Sequence, residues 1–573
     1  MMKLKKISCS IILTTIIVIS VFSQEKTKTK VDKINHYQYE ITKHGNYSKT
    51  AVACAHSLAS YYGVAMMKKG GNAFDAAITS QLVLAVVYPS AGNIGGGGFM
   101  VAKTKDALIA LDYRETAPQQ SYEKMYLDEE GNPLTQKSQK GALASGVPGT
   151  IAGIFEMLSY AKLPIKTLIQ PAIDLAEFGF AITEREARNL NKLKSDFINS
   201  NKQKIAFIKD ENWKKGDTLI QTELANTLKR IRDFGKAGFY AGKTADLIID
   251  EMQKGNGIIT KEDLKNYTAK WRIPIITKYK GYDVIGMPPP SSGGIILAQL
   301  LKMVDDRNLP QKKYGTVKSV QLMIEAERRA YADRSEHMGD PDFVKVPLKT
   351  LISDEYINER MKDYDATKAS LSKNIQAGEI HESEETTHIS IIDQFGNMVS
   401  ITTTLNDSYG SKKVVSGAGF LLNNEMDDFS IKPGVPNLYD AVGGKANAIA
   451  ANKRMLSSMT PTLVLKNKKP FLVVGSPGGT TIPTSVFQSI VNIIDFNLSA
   501  VDAVNLPKFH HQWLPDEVFI EKDFNPLIIQ QLKEMGYKIT TKDAIGRVEL
   551  LKISKNKIEA VADKRGDDSV AGF

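Results

Sequence analysis

Hydrophobic positions change their spacing along the chain, and the changes locate its elements. Between Ala55 and Val87 apolar residues recur at helical spacing. The pattern breaks once, at GGNAFDAA, where Asn72 predicts the N-cap of a second helix. That helix runs into Tyr88-Pro89 and the loop AGNIGGGGFMV. Residues 160–275 read as mainly helical, with repeated Lys/Glu faces, and MPPPSSGG (Met287–Gly294) predicts a rigid turn before an apolar helix. From Thr387 the period becomes two. TTHISIID and MVSITTTL, joined by DQFGN, predict a β-hairpin. PTLVL and KPFLVVGSPGG predict further strands, followed by a Gly-rich turn and a helix over Ser485–Phe496. The class is mixed α and β, with a sheet between helices. Two polar stretches lack this order: residues 24–48 predict a loose lead-in, and residues 362–385 a mobile segment that ends at Glu385.

Composition narrows the function classes. The chain has 573 residues, 42% hydrophobic and 24% charged, which excludes a disordered chain, a fibre and a polytopic membrane protein. The formal charge is +10, from 74 basic and 64 acidic residues. No Lys/Arg block interleaved with aromatics accompanies it, so no nucleic-acid partner is expected. Lys3, Lys5 and Lys6 precede a short apolar run from Ile11 to Phe22, with Val21 and Ser23 before Gln24. This is the layout of a signal peptide over residues 1–23, and the run is shorter than the roughly 20 residues a membrane span needs. An exported protein, periplasmic or secreted and with no stable membrane span, is expected. Cys9 leaves with the leader, and Cys54 in AVACAHSLA is expected to be a buried, structural thiol.

The chemistry-bearing segments are short. Glu385-Thr386-Thr387 joins the polar stretch to the first hairpin strand. Threonine at a strand start is ordinarily only a β-former; its company gives it interest. LDYRETAP supplies Arg114, NNEMDDFS (Asn423–Ser430) four polar groups, RMLSSMTPT the pair Ser457 and Ser458, and GSPGGTT Gly478 and Gly479, whose N–H groups suit an anion. Each has a bland counterpart: a surface ion pair, a solvated acidic turn, a loop, a tight turn. GNIGGGGFM lacks the Lys-Ser/Thr of a phosphate loop and follows a helical pattern, unlike a dinucleotide fingerprint. HESEETTH does not have HExxH spacing, so no metal is expected, and HHQW (His510–Trp513) reads as packing.

Taken in order, GGNAFDAA, GNIGGGGFM, LDYRETAP, MPPPSSGG, YADRSEHMGDPDFVKVP, TTHISIID, TLNDSYGS, LLNNEMDDFSIKPGVPN, LSSMTPT, GSPGG and FHHQWLPDE resemble the γ-glutamyltranspeptidases, in their exported bacterial form, over nearly the whole mature chain. The resemblance implies an α/β (α+β) fold, the αββα sandwich of N-terminal-nucleophile hydrolases, as one large domain built from two autoprocessed subunits. It implies a cut between Glu385 and Thr386. A large subunit (24–385) and a small one (386–573) would then stay together as a heterodimer. Thr386 would be the nucleophile, and its freed α-amine, with a reference pKa of about 7.7–8.0 against 10.4 for lysine, the base.

By the same resemblance Thr404 would hydrogen-bond and orient the nucleophile, and Gly478 and Gly479 would form the oxyanion hole. Arg114, with Ser457 and Ser458, would hold the substrate α-carboxylate; Asn406, Glu425 and Asp428 would hold its α-ammonium. Tyr439 would wall a lid loop over Pro433–Gly444. Substrates would be glutathione and other γ-glutamyl compounds, with water, amino acids or dipeptides as acceptors, and no cofactor. One cation with two anions suits a zwitterion. A β-lactam acylase of related fold, acting on a dicarboxylic side chain without an α-ammonium, would leave Glu425 and Asp428 without a purpose. An inactive binding homologue, or a structural exported protein, would not be expected to keep Arg114 and Thr386.

Overall fold

Strands buried on both faces, such as Ala51–Cys54 and Met398–Asn406, build two stacked sheets. The computed structural model describes residues 34–375, 385–432 and 444–573. The leader over residues 1–23 and Tyr439 lie outside the described residues, as does the lid loop up to residue 443. One seven-stranded antiparallel sheet runs in the spatial order Ser569–Gly572, Ala51–Cys54, Glu385–Ile392, Met398–Asn406, Gly97–Lys103, Leu108–Asp112 and Lys270–Arg272. The other runs His44–Tyr47, Lys557–Ala562, Glu549–Ser554, Lys469–Gly475, Thr462–Lys466, Tyr282–Gly286 and Ile275–Tyr279. The hairpin expected around DQFGN is the centre of the first sheet.

The sheets enclose Ala51, Phe99, Val101, Met398, Leu463, Val473 and Leu551, all buried. Truncating any of the larger ones to alanine costs about 2–5 kcal/mol. The outer faces are covered by helices. Ser57–Lys68 and Ala73–Val87 cover the first sheet. Asn72 caps the second of these, its side chain accepting from the N–H groups of Phe74 and Asp75. Gly293–Asp306, Val317–His337 and Thr481–Ile494 form the layer over the second sheet. The result is the expected four-layer αββα sandwich. The last of these helices begins four residues before its expected start, because Gly478 and Gly479 complete the turn sooner.

Two sequence expectations are corrected. The lead-in is ordered from residue 34: His44–Tyr47 is an edge strand, and the Lys43 ammonium donates to the carbonyls of Asp563, Gly566 and Asp568 at 2.7–2.8 Å. The described part of the polar segment, 362–375, is also anchored. Ser372 is buried, donates to the Trp513 carbonyl and accepts from Arg328. Trp513 Nε1 in turn donates to the carbonyls of Ser372 and Ile375. In both places the partners are distant in sequence, so local polarity gives no sign of them.

Candidate active site

Thr386 opens the central hairpin at an irregularity. Thr386 pairs with Thr404, but Glu385 pairs with Asn406, so the register shifts between Glu385 and Thr386. Bulges of this kind re-aim a backbone segment and collect beside active sites. Asn406 has φ +76°, and its N–H donates to Thr404 Oγ1 at 2.7 Å, a local bond that closes the irregularity. Thr386 is buried, and its Oγ1 has no hydrogen-bond partner among the described residues. The expected hydrogen bond from Thr404 to the nucleophile is therefore not made in the uncut chain, where the Thr404 hydroxyl takes the Asn406 N–H instead.

The residues behind Thr404 explain the glycine run that is not a phosphate loop. Asn93 Nδ2 donates to the Thr404 carbonyl at 2.8 Å, and its Oδ1 accepts from the Gly96 N–H and Thr150 Oγ1. A Cβ at Gly96 would stand 2.1 Å from the Thr404 carbonyl oxygen, so the backbone approaches here as only glycine permits. Asn93 is not singled out by the sequence reading; the available signal is its place at the head of that run.

The glycine turn lies on the same side of the hairpin as Thr386. Alternate residues of a strand share a face, so Thr386 shares one with His388. The His388 ring lies against Gly475, where a Cβ would come within 2.2 Å of it. Gly475 ends its strand, and Ser476-Pro477-Gly478-Gly479 follows immediately. Gly478 and Gly479 have φ of +130° and +55°, and no side chain caps the helix they open. That helix is braced by HHQW. Gln512 Oε1 accepts from Thr480 Oγ1 at 2.8 Å, and His510 Nδ1 meets Thr484 Oγ1 at 2.9 Å. Burial pushes the pKa values of His388 and His510 down to about 3, so both are neutral. HHQW is packing, as the sequence suggests.

From Asn406 the site continues to the charged corner. Asn406 Nδ2 donates to the Asn424 carbonyl, and Asn423 Oδ1 accepts from the Glu425 N–H at 3.1 Å. Glu425 Oε2 lies 2.6 Å from Arg114 Nη1, and Asp428 accepts from Arg114 Nη2. Glu115 Oε2 is 3.5 Å from the same guanidinium. All four side chains are buried. Charges expected to hold opposite ends of a zwitterion thus hold each other, as a buried guanidinium requires a counter-charge. Three acids thus face Arg114, and the buried Arg334 guanidinium also acts on Asp428. Burial raises the pKa of Glu425 and Asp428 and pushes Glu115 up to about 8, with Arg114 pulling each back. Asp428 is held by Asn447, which donates to its carbonyl at 2.6 Å.

Ser457 and Ser458 adjoin this corner. Arg114 reaches the carbonyls of Met455 and Leu456, both at 3.4 Å, just before them. The MPPPSSGG turn clamps the serine backbone: Ser292 N–H donates to the Ser457 carbonyl and Ser291 Oγ to that of Met459. Ser458 Oγ is buried with no hydrogen-bond partner among the described residues, as are Glu115 Oε1 and Oε2 and Asp428 Oδ1. Native interiors leave few such groups unsatisfied. Several of them lie around Arg114. Glu115 and Asn447 are not anticipated from sequence; an acid adjoining Arg114 just past a strand is the available sign for the first.

Known proteins share this fold. The family model described as Gamma-glutamyltranspeptidase matches residues 59–573. The glutathione hydrolase proenzyme of Escherichia coli (strain K12) is 46% identical over 530 residues, covering 91% of each chain. The cephalosporin acylase of Bacillus halodurans superposes with a TM-score of 0.81 at 26% identity, covering 95% of this chain and 99% of its own. Helicobacter pylori gamma-glutamyltranspeptidase superposes with a TM-score of 0.56 at 42% identity, covering 59% of this chain and 97% of its own. The sandwich is that of the N-terminal-nucleophile hydrolases. A match that runs unbroken from the first core helix to the last residue means that this chain belongs to the gamma-glutamyltranspeptidase family.

Proposed function

We propose that the protein is an exported γ-glutamyltransferase and glutathione hydrolase that matures by cutting itself between Glu385 and Thr386. The observation that carries this reading is Thr386 itself, a buried hydroxyl with no hydrogen bond to any described residue, at an irregular strand start. Attack of that hydroxyl on the Glu385 carbonyl forms an ester, which water hydrolyses. The cut leaves residues up to 385 as the large subunit and 386–573 as the small one. It also frees an α-amine on Thr386 that takes a proton near neutral pH, so nucleophile and base share one residue. Thr404 is then released to orient the nucleophile.

In the mature enzyme Thr386 attacks the γ-amide of glutathione or a related compound. The N–H groups of the Gly478-Gly479 turn hold the oxyanion, a donor typically contributing ~2.7–4 kcal/mol of transition-state stabilisation. Arg114, Ser457 and Ser458 take the α-carboxylate. Glu425, Asp428 and Asn406 take the α-ammonium. The amine leaves, and water or an amino acid or dipeptide receives the glutamyl group. A dicarboxylate acylase is the second reading, favoured by the likeness to the Bacillus halodurans enzyme. Glutaryl amides, which lack the ammonium, distinguish the two.

Intact mass and N-terminal sequencing of wild type beside Thr386→Ala test the proposal. Two fragments, the smaller beginning at Thr386, are expected from the wild type and one uncut chain from the variant. A wild-type protein that stays a single chain overturns it.

A further inference from the structure

The end of the sandwich remote from Thr386 carries a lysine-ringed cleft. Thr386 lies at the start of the strand Glu385–Ile392 and Ile392 closes it, so the cleft stands about 20 Å from Thr386 at ~3.4 Å per residue. Tight turns of both sheets meet there: Asp393–Asn397 from the first, Lys466–Lys469 and Ser554–Lys557 from the second. Between them the sheet ends part, leaving a volume of about 810 Å³. Ile392, Phe471, Ile553 and Ile558 supply an apolar wall, and Lys49, Lys466, Lys469, Lys555 and Lys557 a basic rim. All five lysines are exposed. Among the described residues no carboxylate lies within ion-pair distance of any of them. The acids close to them in the chain are used elsewhere. Asp393 accepts from the Ala73 N–H at 2.9 Å and from Asn397 Nδ2 at 2.7 Å. Glu559 lies 3.5 Å from His44 Nε2.

A hydrophobic feature accompanies this charge. Phe395 stands at the tip of the hairpin turn, between the lining residues Gln394 and Gly396. It is 52% exposed, and Lys162 Nζ lies 3.6 Å from its ring centroid. A basic rim attracts phosphate, an apolar wall takes hydrocarbon, and an aromatic beside cations settles at the boundary between the two. A soluble polyanion would use the rim and leave the wall and Phe395 idle. We propose that this end of the molecule docks on a membrane surface rich in anionic phospholipid. Lipid phosphates meet the lysine rim, and Phe395 and the cleft wall meet the acyl boundary. Docked in this way, the protein turns Thr386 and the Arg114 corner away from the bilayer, toward solution. The inference stands apart from the γ-glutamyl transfer reading.

Vesicle co-sedimentation of the purified protein tests it, on phosphatidylcholine alone and on equal parts of phosphatidylcholine and phosphatidylglycerol. Wild type is expected to bind the mixed vesicles, to ignore the neutral ones, and to be released by high salt, because such attraction decays within a Debye length. A lysine near an anionic surface is worth about fivefold in affinity, so Lys466→Gln, Lys469→Gln, Lys555→Gln and Lys557→Gln combined are expected to weaken binding at least about a hundredfold. Lys254→Gln, Lys265→Gln, Lys362→Gln and Lys533→Gln combined remove the same net charge from exposed positions outside the cleft. That control is expected to bind within about twofold of wild type, since charges beyond a Debye length are screened. Phe395→Ser is expected to lose several-fold at every salt concentration. Unfolding at the wild-type temperature establishes that each variant is folded. Equal losses from the two fourfold variants, or wild-type binding that does not distinguish the two kinds of vesicle, overturn the site. Binding to polyphosphate in solution without binding to the mixed vesicles overturns it as well.

Discussion

Two buried polar regions of the molecule are built on opposite terms. The His510 ring is neutral and fully hydrogen-bonded. Both ring nitrogens of His510 are bonded, to Thr484 Oγ1 at 2.9 Å and Gln512 Oε1 at 3.0 Å, and Gln488 Nε2 donates to the Phe509 carbonyl at 2.6 Å. Around Arg114 three buried acids, their pKa values raised by burial, crowd the guanidinium, and several of their oxygens accept no hydrogen bond from the described residues. A satisfied neutral network gains nothing from a ligand and serves to hold a helix still. A charged cluster with donors and acceptors to spare is costly alone and gains on meeting a zwitterion.

The most severe way to break the contrast is to take the cation from the charged corner. Arg114→Gln takes from Glu425 and Asp428 the guanidinium they pair with, and removing one partner of a buried pair costs about 3–5 kcal/mol. Thermal unfolding at pH 7 is expected to fall accordingly. The deficit is expected to shrink at pH 5, where acids whose pKa values burial has already raised take up protons readily. kcat/KM toward a γ-glutamyl amide is expected to fall at least about a hundredfold with it, the scale of a lost bidentate carboxylate contact. A variant with wild-type stability and activity would mean that Arg114 is a bystander.

Next in size is the glycine turn. A Cβ at Gly478 would lie 2.4 Å from Thr481 Oγ1, at a φ of +130°. Gly478→Ala must shift the turn, and with it the N–H groups assigned to the oxyanion. A loss of about 10²–10³ in kcat, with KM little changed, is expected. Steady-state kinetics on the correctly cut variant decide it. A proportional rise in KM instead would place the glycine in substrate binding.

How far these regions are legible in sequence differs for a physical reason. Period-two alternation announces the hairpin, and Asn72 its neighbouring helix start, because both depend on residues close in the chain. Thr386 stands out as the junction of a polar stretch and a strand. The acid cluster at Arg114 is only half visible. Glu425 and Asp428 are reached through the family resemblance, but Glu115 adjoins Arg114 and yet turns toward the same guanidinium, which follows only from the chain's path beyond the strand Leu108–Asp112. Ser372 and Lys43 stand in stretches that read as loose because their partners are likewise far away.

The smallest effect tests the satisfied region. A free histidine takes up a proton below about pH 6.5, whereas burial holds His510 neutral down to about pH 3. Between those values the unfolded chain binds more protons than the folded one. The stability that His510 contributes is therefore present above about pH 6.5 and lost as the pH falls toward about 3. At pH 5 the loss from this ring alone is about 2 kcal/mol. His510→Gln keeps a side chain that hydrogen-bonds and removes the titration. In the uncut Thr386→Ala background, the difference in unfolding free energy between pH 7 and pH 5 is expected to shrink by about that amount, even if the variant is slightly weaker at pH 7. An unchanged difference would mean that the ring takes up its proton in the folded chain as freely as in the unfolded one, and the contrast between a neutral support and a charged site would fail at that residue.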